Sequence, residues 1–402
     1  MKRYEFLMAF LATALASQAQ AGGLWLNQFG DFAAGRASAG AVAGVDEAST
    51  IIHNPASSQQ AEGSQLFVAA GIFVTDIAFE IEESNPINGY DDGGSAGLNA
   101  PAAGFSYVHD TGSDNWSTGV YMAGLSGAGL DYNDDWVGRF QATGSEVLVL
   151  TLAPTIAYQL TDNLSVGAAA QLYYGTLDLE LAIPSVQPGV DNGIGSLDGT
   201  DTGFGFALGA VYEISQRTRL GINYQSEIEL DFSGNLKVPA GGVDVNSNTH
   251  LTLAQFVRVG LHHTFSNKIG LDFTLGWDDW SALDQVFVAL PSQGASLDKN
   301  WSDTYHYAAG VQYVLNEKWG LTAGAAYDTN PVDTLDRTAD LPVDRQIRYN
   351  IGARYAMRDN LSLGGYANYT DLGSAKIRTD FWSGEYSSNS VIELGLYANW
   401  AL

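Results

Sequence analysis

Eighteen Lys and Arg face 45 Asp and Glu in this 402-residue chain, so each cation narrows the chemistry available around it. Arg139 sits between Trp136 and Phe140 in the run "DDWVGRF". A guanidinium fork flanked by aromatic rings suits a carboxylate carried on an apolar body. A salt bridge to Asp134 or Asp135 at a loop base would use the same fork, and both readings stand. Trp136 fits an apolar loop wall or an anchor at a membrane interface, with the anchor favoured. Arg258, Arg348 and Arg354 lie opposite apolar stripes, in register with Gly and Asn. They fit a ladder that docks the N-terminal segment or steers an anion, or a set of structural ion pairs with Glu393 and the carboxylates of residues 22–63. The ion pairs are favoured.

Other chemistries find little support. The six His residues show no HxxxH spacing and there is no Cys, so no transition-metal site is expected. "YDDGG", "YNDDW" and "LDGTDTG" lack the ligand spacing of a Ca²⁺ loop. Gly203-x-Gly205 has no helix after it and is no dinucleotide loop. No cofactor and no enzymatic activity are expected. A net charge of −27 excludes a nucleic-acid partner, which requires a Lys/Arg footprint.

The positioning elements are strands. Lys2 and Arg3, an apolar run from Phe6 to Leu15, and Ala19-Gln20-Ala21 read as a secretory signal peptide spanning 1–21. Export without cysteine means that no disulfide holds the fold. Beyond the signal no run of about 18 apolar residues occurs, which excludes a spanning helix but not a spanning barrel. Period-two alternation dominates the rest. In "TYHYAAGVQYV", Tyr305, Tyr307, Ala309, Val311 and Tyr313 oppose His306, Ala308, Gly310 and Gln312. "VRVGLHHTF", "RYNIGARYAM" and "VIELGLYANWAL" behave alike. Apolar faces edged by Tyr, against faces of Gly, Arg and Asn, suit lipid outside and a polar lumen inside. A soluble sandwich would hide its apolar faces.

About fourteen such segments are expected. Tight polar turns ("LTDN", "FSNK", "LNEK", "MRDN") alternate with longer links. Among the longer links are "SGAGLDYNDDWVGRFQATG", "PSVQPGVDNGIGSLDGTDTG", "PAGGVDVNSNTH" and "FWSGEYSSN". That asymmetry is expected of short periplasmic turns and long external loops, so the bacterial outer membrane is the expected location. The fold expected is therefore all-β: a transmembrane antiparallel β-barrel of residues 64–402. Residues 22–63 are small, Gly/Ala-rich and too short to form a core alone. They are expected to fold into the lumen as a hatch, with Arg36, Asp46 and Glu47 pairing to the polar wall.

"LNQFG", "AAGRASAG", "DEAST" and "HNPAS" lead the mature chain. "LAPTIAYQLTDNLSVGAAAQLYYG", "LDFTLGWDDWSALDQV" and "DNLSLGGYANYTDLG" follow in order. In this the chain resembles the FadL-like long-chain fatty acid transporters of the outer membrane, which include aromatic-hydrocarbon relatives. The resemblance implies a fourteen-stranded barrel closed by an N-terminal hatch. It also implies passive uptake of a long-chain fatty acid or similar hydrophobic molecule. Capture between external loops would lead to an apolar internal pocket and then to hatch-gated release through a lateral opening in the wall. Asn54-Pro55-Ala56 would be the turn where the hatch ends, abuts the wall and lines the exit; with Arg36 it forms the expected gate. Trp136, Arg139 and Phe140 would touch substrate. A monomer in contact with lipid and lipopolysaccharide, built by the barrel-assembly machinery, is expected. Uptake of aromatics or alkanes, a general porin and a receptor barrel are the alternatives. The family usually ends on an aromatic residue, whereas here Trp400 is two residues short of Leu402.

Overall fold

The computed structural model describes residues 24–26, 28–184, 192–239, 243–283, 285–289 and 294–402. The signal-peptide reading of 1–21 lies outside the described residues.

Fourteen antiparallel strands close on themselves. They are β1 (Gln65–Glu83), β2 (Ala100–Ser113), β3 (Trp116–Asp131), β4 (Gly144–Thr161), β5 (Leu164–Ile183) and β6 (Gly193–Ser215). β7 runs in two parts, Thr218–Gln225 and Ile228–Val238, and β8 likewise in Val243–Leu253 and Phe256–Ser266. β9 (Ile269–Asp278), β10 (Thr304–Val314), β11 (Trp319–Asp328), β12 (Gln346–Arg358), β13 (Leu361–Asp371) and β14 (Ser383–Ala401) complete the wall. Closure is by β1 against β14, with Gln65 opposite Ala401 and Ile72 opposite Leu394. A closed sheet leaves no edge, the condition for crossing a bilayer with strands.

The alternation lies as expected. Tyr305, Tyr307, Val311 and Tyr313 are exposed on β10, while His306 and Ala308 are buried. On β14, Ile392, Leu394, Leu396 and Trp400 point out, and Glu393, Tyr397 and Asn399 point in. Exposed apolar side chains on every second residue are the lipid-facing surface. The six turns 114–115, 162–163, 216–217, 267–268, 315–318 and 359–360 mark one end, and the longer links mark the other.

Several stretches expected in external loops are strand instead. Residues 126–131 belong to β3, 193–203 to β6, 243–250 to β8 and 383–389 to β14, and Gly294–Asp298 forms a short strand of its own. Thr, Ser, Asp and Gly dominate them, with isolated inward apolar residues such as Leu197 and Tyr386, so a hydropathy pattern tuned to lipid misses them. Their pairing still holds: Leu197 lies opposite Leu179, and Asn235 opposite Asn246. These rims raise the wall beyond the apolar band.

Residues 28–63 pack across the inside of the wall. Short 3₁₀ turns (Ala34–Arg36, Ala41–Ala43, Pro55–Gln60) and one helical turn (Thr50–His53) follow one another. The first touches β10–β13, the second β6–β9, and the last β3–β6. Contacts on such widely separated strands place the segment in the bore. Ala33, Ala34, Ala37, Ala39, Ala43 and Ala48 are almost fully buried, and their small side chains let backbone sit close to backbone.

Candidate functional site

Asn54 holds its turn against three elements at once. Its Nδ2 donates to Val42 O (2.8 Å), to Ala210 O on β6 and to Ile222 O on β7 (both 3.2 Å). Its Oδ1 accepts from Ala56 N (3.0 Å), capping the Pro55–Gln60 turn in which proline occupies the first position. Ser165 Oγ on β5 donates to Ala56 O (3.1 Å). The wall makes room by omitting side chains. A Cβ on Gly167 would stand 2.5 Å from Ala56 N, and one on Gly209 would collide with Asn54 Oδ1. Asn54, Pro55 and Ala56 therefore abut the wall at β5–β7. They do not end the inner segment, because the Pro55–Gln60 turn intervenes before the chain enters β1.

Ion pairs tie the segment to the barrel. Arg36 Nε lies 3.4 Å from Asp272 on β9, Arg219 Nη1 on β7 lies 3.4 Å from Asp46, and Arg354 Nη1 on β12 lies 3.3 Å from Glu47. Burial pushes the Glu47 carboxyl up to about 7, against the pull of Arg354 and with a further push from Asp31. Burial would also raise Asp31, but His53 (2.8 Å) and Arg36 win and hold it below the usual carboxylate range.

The remaining luminal cations pair strand to strand. Arg258 meets Asp278 (2.7 Å), and Arg348 meets Asp328 (2.7 Å), whose other oxygen contacts His306 (2.8 Å). Of the pairing expected with Glu393 and the inner segment, Arg354 with Glu47 is found; Arg258 and Arg348 pair with wall aspartates instead, and Glu393 accepts from Tyr366 Oη and Asn368 Nδ2. Sequence reasoning missed Asp272, Asp278 and Asp328, although each falls on the inward register of its strand.

Trp136, Arg139 and Phe140 lie among the external loops. Trp136 is fully buried, stacked on Tyr132 (4.0 Å, 7°) and edged by Phe79. It is an apolar loop wall rather than the interface anchor expected, since Tyr132, Phe79 and Trp382 enclose it. Arg139 donates to the carbonyls of Ile87 (2.8 Å), Asn88 and Trp136 (2.9 Å). Main chain, not the Asp134 or Asp135 carboxylates, is what it holds, and its guanidinium lies over the Phe140 ring (4.4 Å).

Pairing in the wall breaks between β2 and β3 beside the inner segment. β2 and β3 pair only as far as Phe105 opposite Met122. Beyond that point Ala100–Gly104 pairs with β1, and Ala123–Asp131 pairs with β4, with a register shift between Gly124 and Ser126. Leu26 N donates to Leu125 O there (2.8 Å), and Trp25 bridges Ser126. A cavity at the break is lined from inside by Phe29, Ile52 and Glu393, and by Ala70 and Leu150 from the lipid-facing register.

Residues 12–388 match the family described as outer membrane protein transport protein (OMPP1/FadL/TodX). The long-chain fatty acid transport protein of Escherichia coli O6:H1 is 24% identical, over 96% of this chain and 95% of that one. Outer membrane protein P1 of Haemophilus influenzae is 26% identical over 90% of each. Among solved structures, a Pseudomonas aeruginosa FadL homologue superposes with TM-score 0.88 at 18% identity, covering 94% of this chain and 99% of that one. The Pseudomonas putida toluene transporter TodX gives 0.67 at 18% identity, covering 88% and 94%. Strand architecture, apolar outer face and whole-length matches converge: the chain belongs to the OMPP1/FadL/TodX family of outer-membrane transport proteins, which are not enzymes.

Proposed function

We propose that this barrel mediates passive uptake of long-chain fatty acids or similar hydrophobic molecules, with residues 22–63 as its hatch. The substrate is captured among the external loops, passes along the hatch and leaves sideways through the wall. The observation that carries the reading is the cavity at the β2–β3 break, where residues of both registers meet. A dry exit into lipid suits such a solute, because each methylene kept from water is worth about 0.8 kcal/mol. The fatty-acid class is supported by curated relatives that bear the name long-chain fatty acid transport protein, those of Escherichia coli and Salmonella typhi among them. The buried Trp136 cluster gives the external loops an apolar interior that capture would have to open, and Arg139 and Phe140 border it.

Uptake of radiolabelled oleate and of toluene by cells with and without the protein tests the substrate. Gly104→Trp and Ala123→Trp test the exit, since both residues line the break. We expect oleate uptake to depend on the protein and to fall in both variants at unchanged barrel abundance. Normal uptake in both would remove the lateral route. Toluene uptake without oleate uptake would move the chain to the aromatic class.

A further inference from the structure

The scarcity of cations gives one cluster its meaning. A cavity of about 190 Å³ opens beneath the inner segment at the end marked by the tight turns. Ser266, Asn267 and Lys268 of the β8–β9 turn form its rim, and Arg36, Arg219 and Arg354 line it. His262 and Gln312 also line it, and Asp46 is its one lining carboxylate.

The cations are not used up by their partners. Arg36 is almost fully buried, yet its Nη1 has no partner; only its Nε is engaged, by Ala39 O and Asp272. Arg219 Nε is likewise buried and unpartnered, while its Nη atoms hold Asp46 and Gly44 O at 3.4 Å each. Lys268 is exposed and forms no ion pair among the described residues. Arg36, Arg219 and Arg354 meet Asp272, Asp46 and Glu47, and Arg36 also acts on Asp31, which leaves Lys268 as the cation of the cluster without an ion pair among the described residues, in a chain whose net charge is −27. A buried guanidinium N–H without an acceptor carries a desolvation cost that an anion would relieve. The Asp46 carboxylate is 69% exposed at 3.4 Å, so an incoming oxyanion can take its place on Arg219.

We propose that the periplasmic mouth of the bore carries an oxyanion site, built from Arg36, Arg219, Lys268 and Arg354, which takes a carboxylate or phosphate group. The shared chemistry is a planar or tetrahedral oxyanion on guanidinium forks. Its source is the head of an amphiphile or a free periplasmic ion. An occupant would compete with Asp46, Glu47 and Asp272 for the same cations and so loosen three ties between segment and wall. The site stands apart from the β2–β3 break, and its test reads binding, not uptake.

The test is calorimetric titration of the mature full-length protein in nonionic detergent with sodium decanoate, decanol and inorganic phosphate. The variants are Arg219→Gln and Lys268→Gln, alone and combined; both residues lie on the rim, and a heat-modifiable gel shift verifies each barrel. We expect saturable decanoate binding that weakens roughly tenfold in the double variant, with decanol unchanged. Arg219→Lys should restore part of the affinity. Phosphate that competes with decanoate identifies a general oxyanion site, and decanoate binding without phosphate binding identifies an amphiphile head site. Wild-type affinity in the double variant, or no binding of either anion, overturns the proposal.

Discussion

Glu47 shows how a single buried carboxyl couples the inner segment to pH. Its folded value of about 7 exceeds the ordinary 4.5 because burial outweighs Arg354. Between those values the native state holds a proton that the unfolded chain has released. That contribution to stability is complete below about 4.5 and is lost as pH rises through about 7. Glu47→Gln keeps the volume and removes the titration. Thermal melts in detergent at pH 5.5 and 8 should show the wild type losing stability relative to the variant by on the order of 2–3 kcal/mol. Parallel melting shifts in the two proteins would refute this. At this scale the sequence was only partly legible. Arg36, Asp46 and Glu47 stand out as charges in a Gly/Ala-rich run, so their pairing with the wall could be anticipated. Asp272, Asp278 and Asp328 each fall on an inward register, but which cation each meets depends on how the strands align across the barrel, which no single strand records. Trp136 was read as an anchor because a loop-base Trp beside charged residues looks interfacial. What buries it comes from Phe79 and Trp382, distant in sequence.

The strands and the inner turns obey different rules. Period-two alternation gives each wall strand away wherever lipid meets one face. It fails at the rims, where Thr, Ser, Asp and Gly replace the outward apolar stripe, and there the ends of β6, β8 and β14 look like loop. The inner turns have almost no sequence period, since crowded backbone rather than a hydrophobic stripe sets their path. Ala37 and Ser38 adopt left-handed backbone conformations (φ 57° and 54°) that no composition rule points to. Their docking is instead recorded in the wall as glycine. Gly209→Val would push a side chain into Asn54 and cost about 1–3 kcal/mol of overpacking. If this strains the docked turn and spares the wall, the undocked population rises roughly 5- to 150-fold. Planar-bilayer recordings should then show more frequent openings than wild type at equal protein insertion. Recordings indistinguishable from wild type would mean that this contact does not hold the segment shut.

For the whole molecule, strand number and inner occupancy together decide what passes. Eight strands enclose only side chains, and sixteen to eighteen leave an aqueous channel. Fourteen lies near the channel end, so the bore conducts ions unless something fills it. Strand count and the asymmetry of the links were legible because each follows from counting. The filling was inferred from residues 22–63 having no core of their own, and its route was not. Those residues engage β2–β14 through main chain, alanine and the three ion pairs of Arg36, Asp46 and Glu47, with Ala48 N donating to Asn399 on β14. Removing residues 28–60 leaves the β1–β14 closure untouched, because Gln65 begins the wall. The truncated barrel should still fold, as read by heat-modifiable mobility, and should conduct in planar bilayers as an open aqueous pore. The intact protein should be nearly silent under the same salt and voltage. A general porin would conduct equally in both forms, so equal conductance would discard the hatch and, with it, a dry path for apolar solutes. Silence of both forms would mean that the external loops alone seal the bore, and the Trp136 cluster would then be the barrier to examine by substitution.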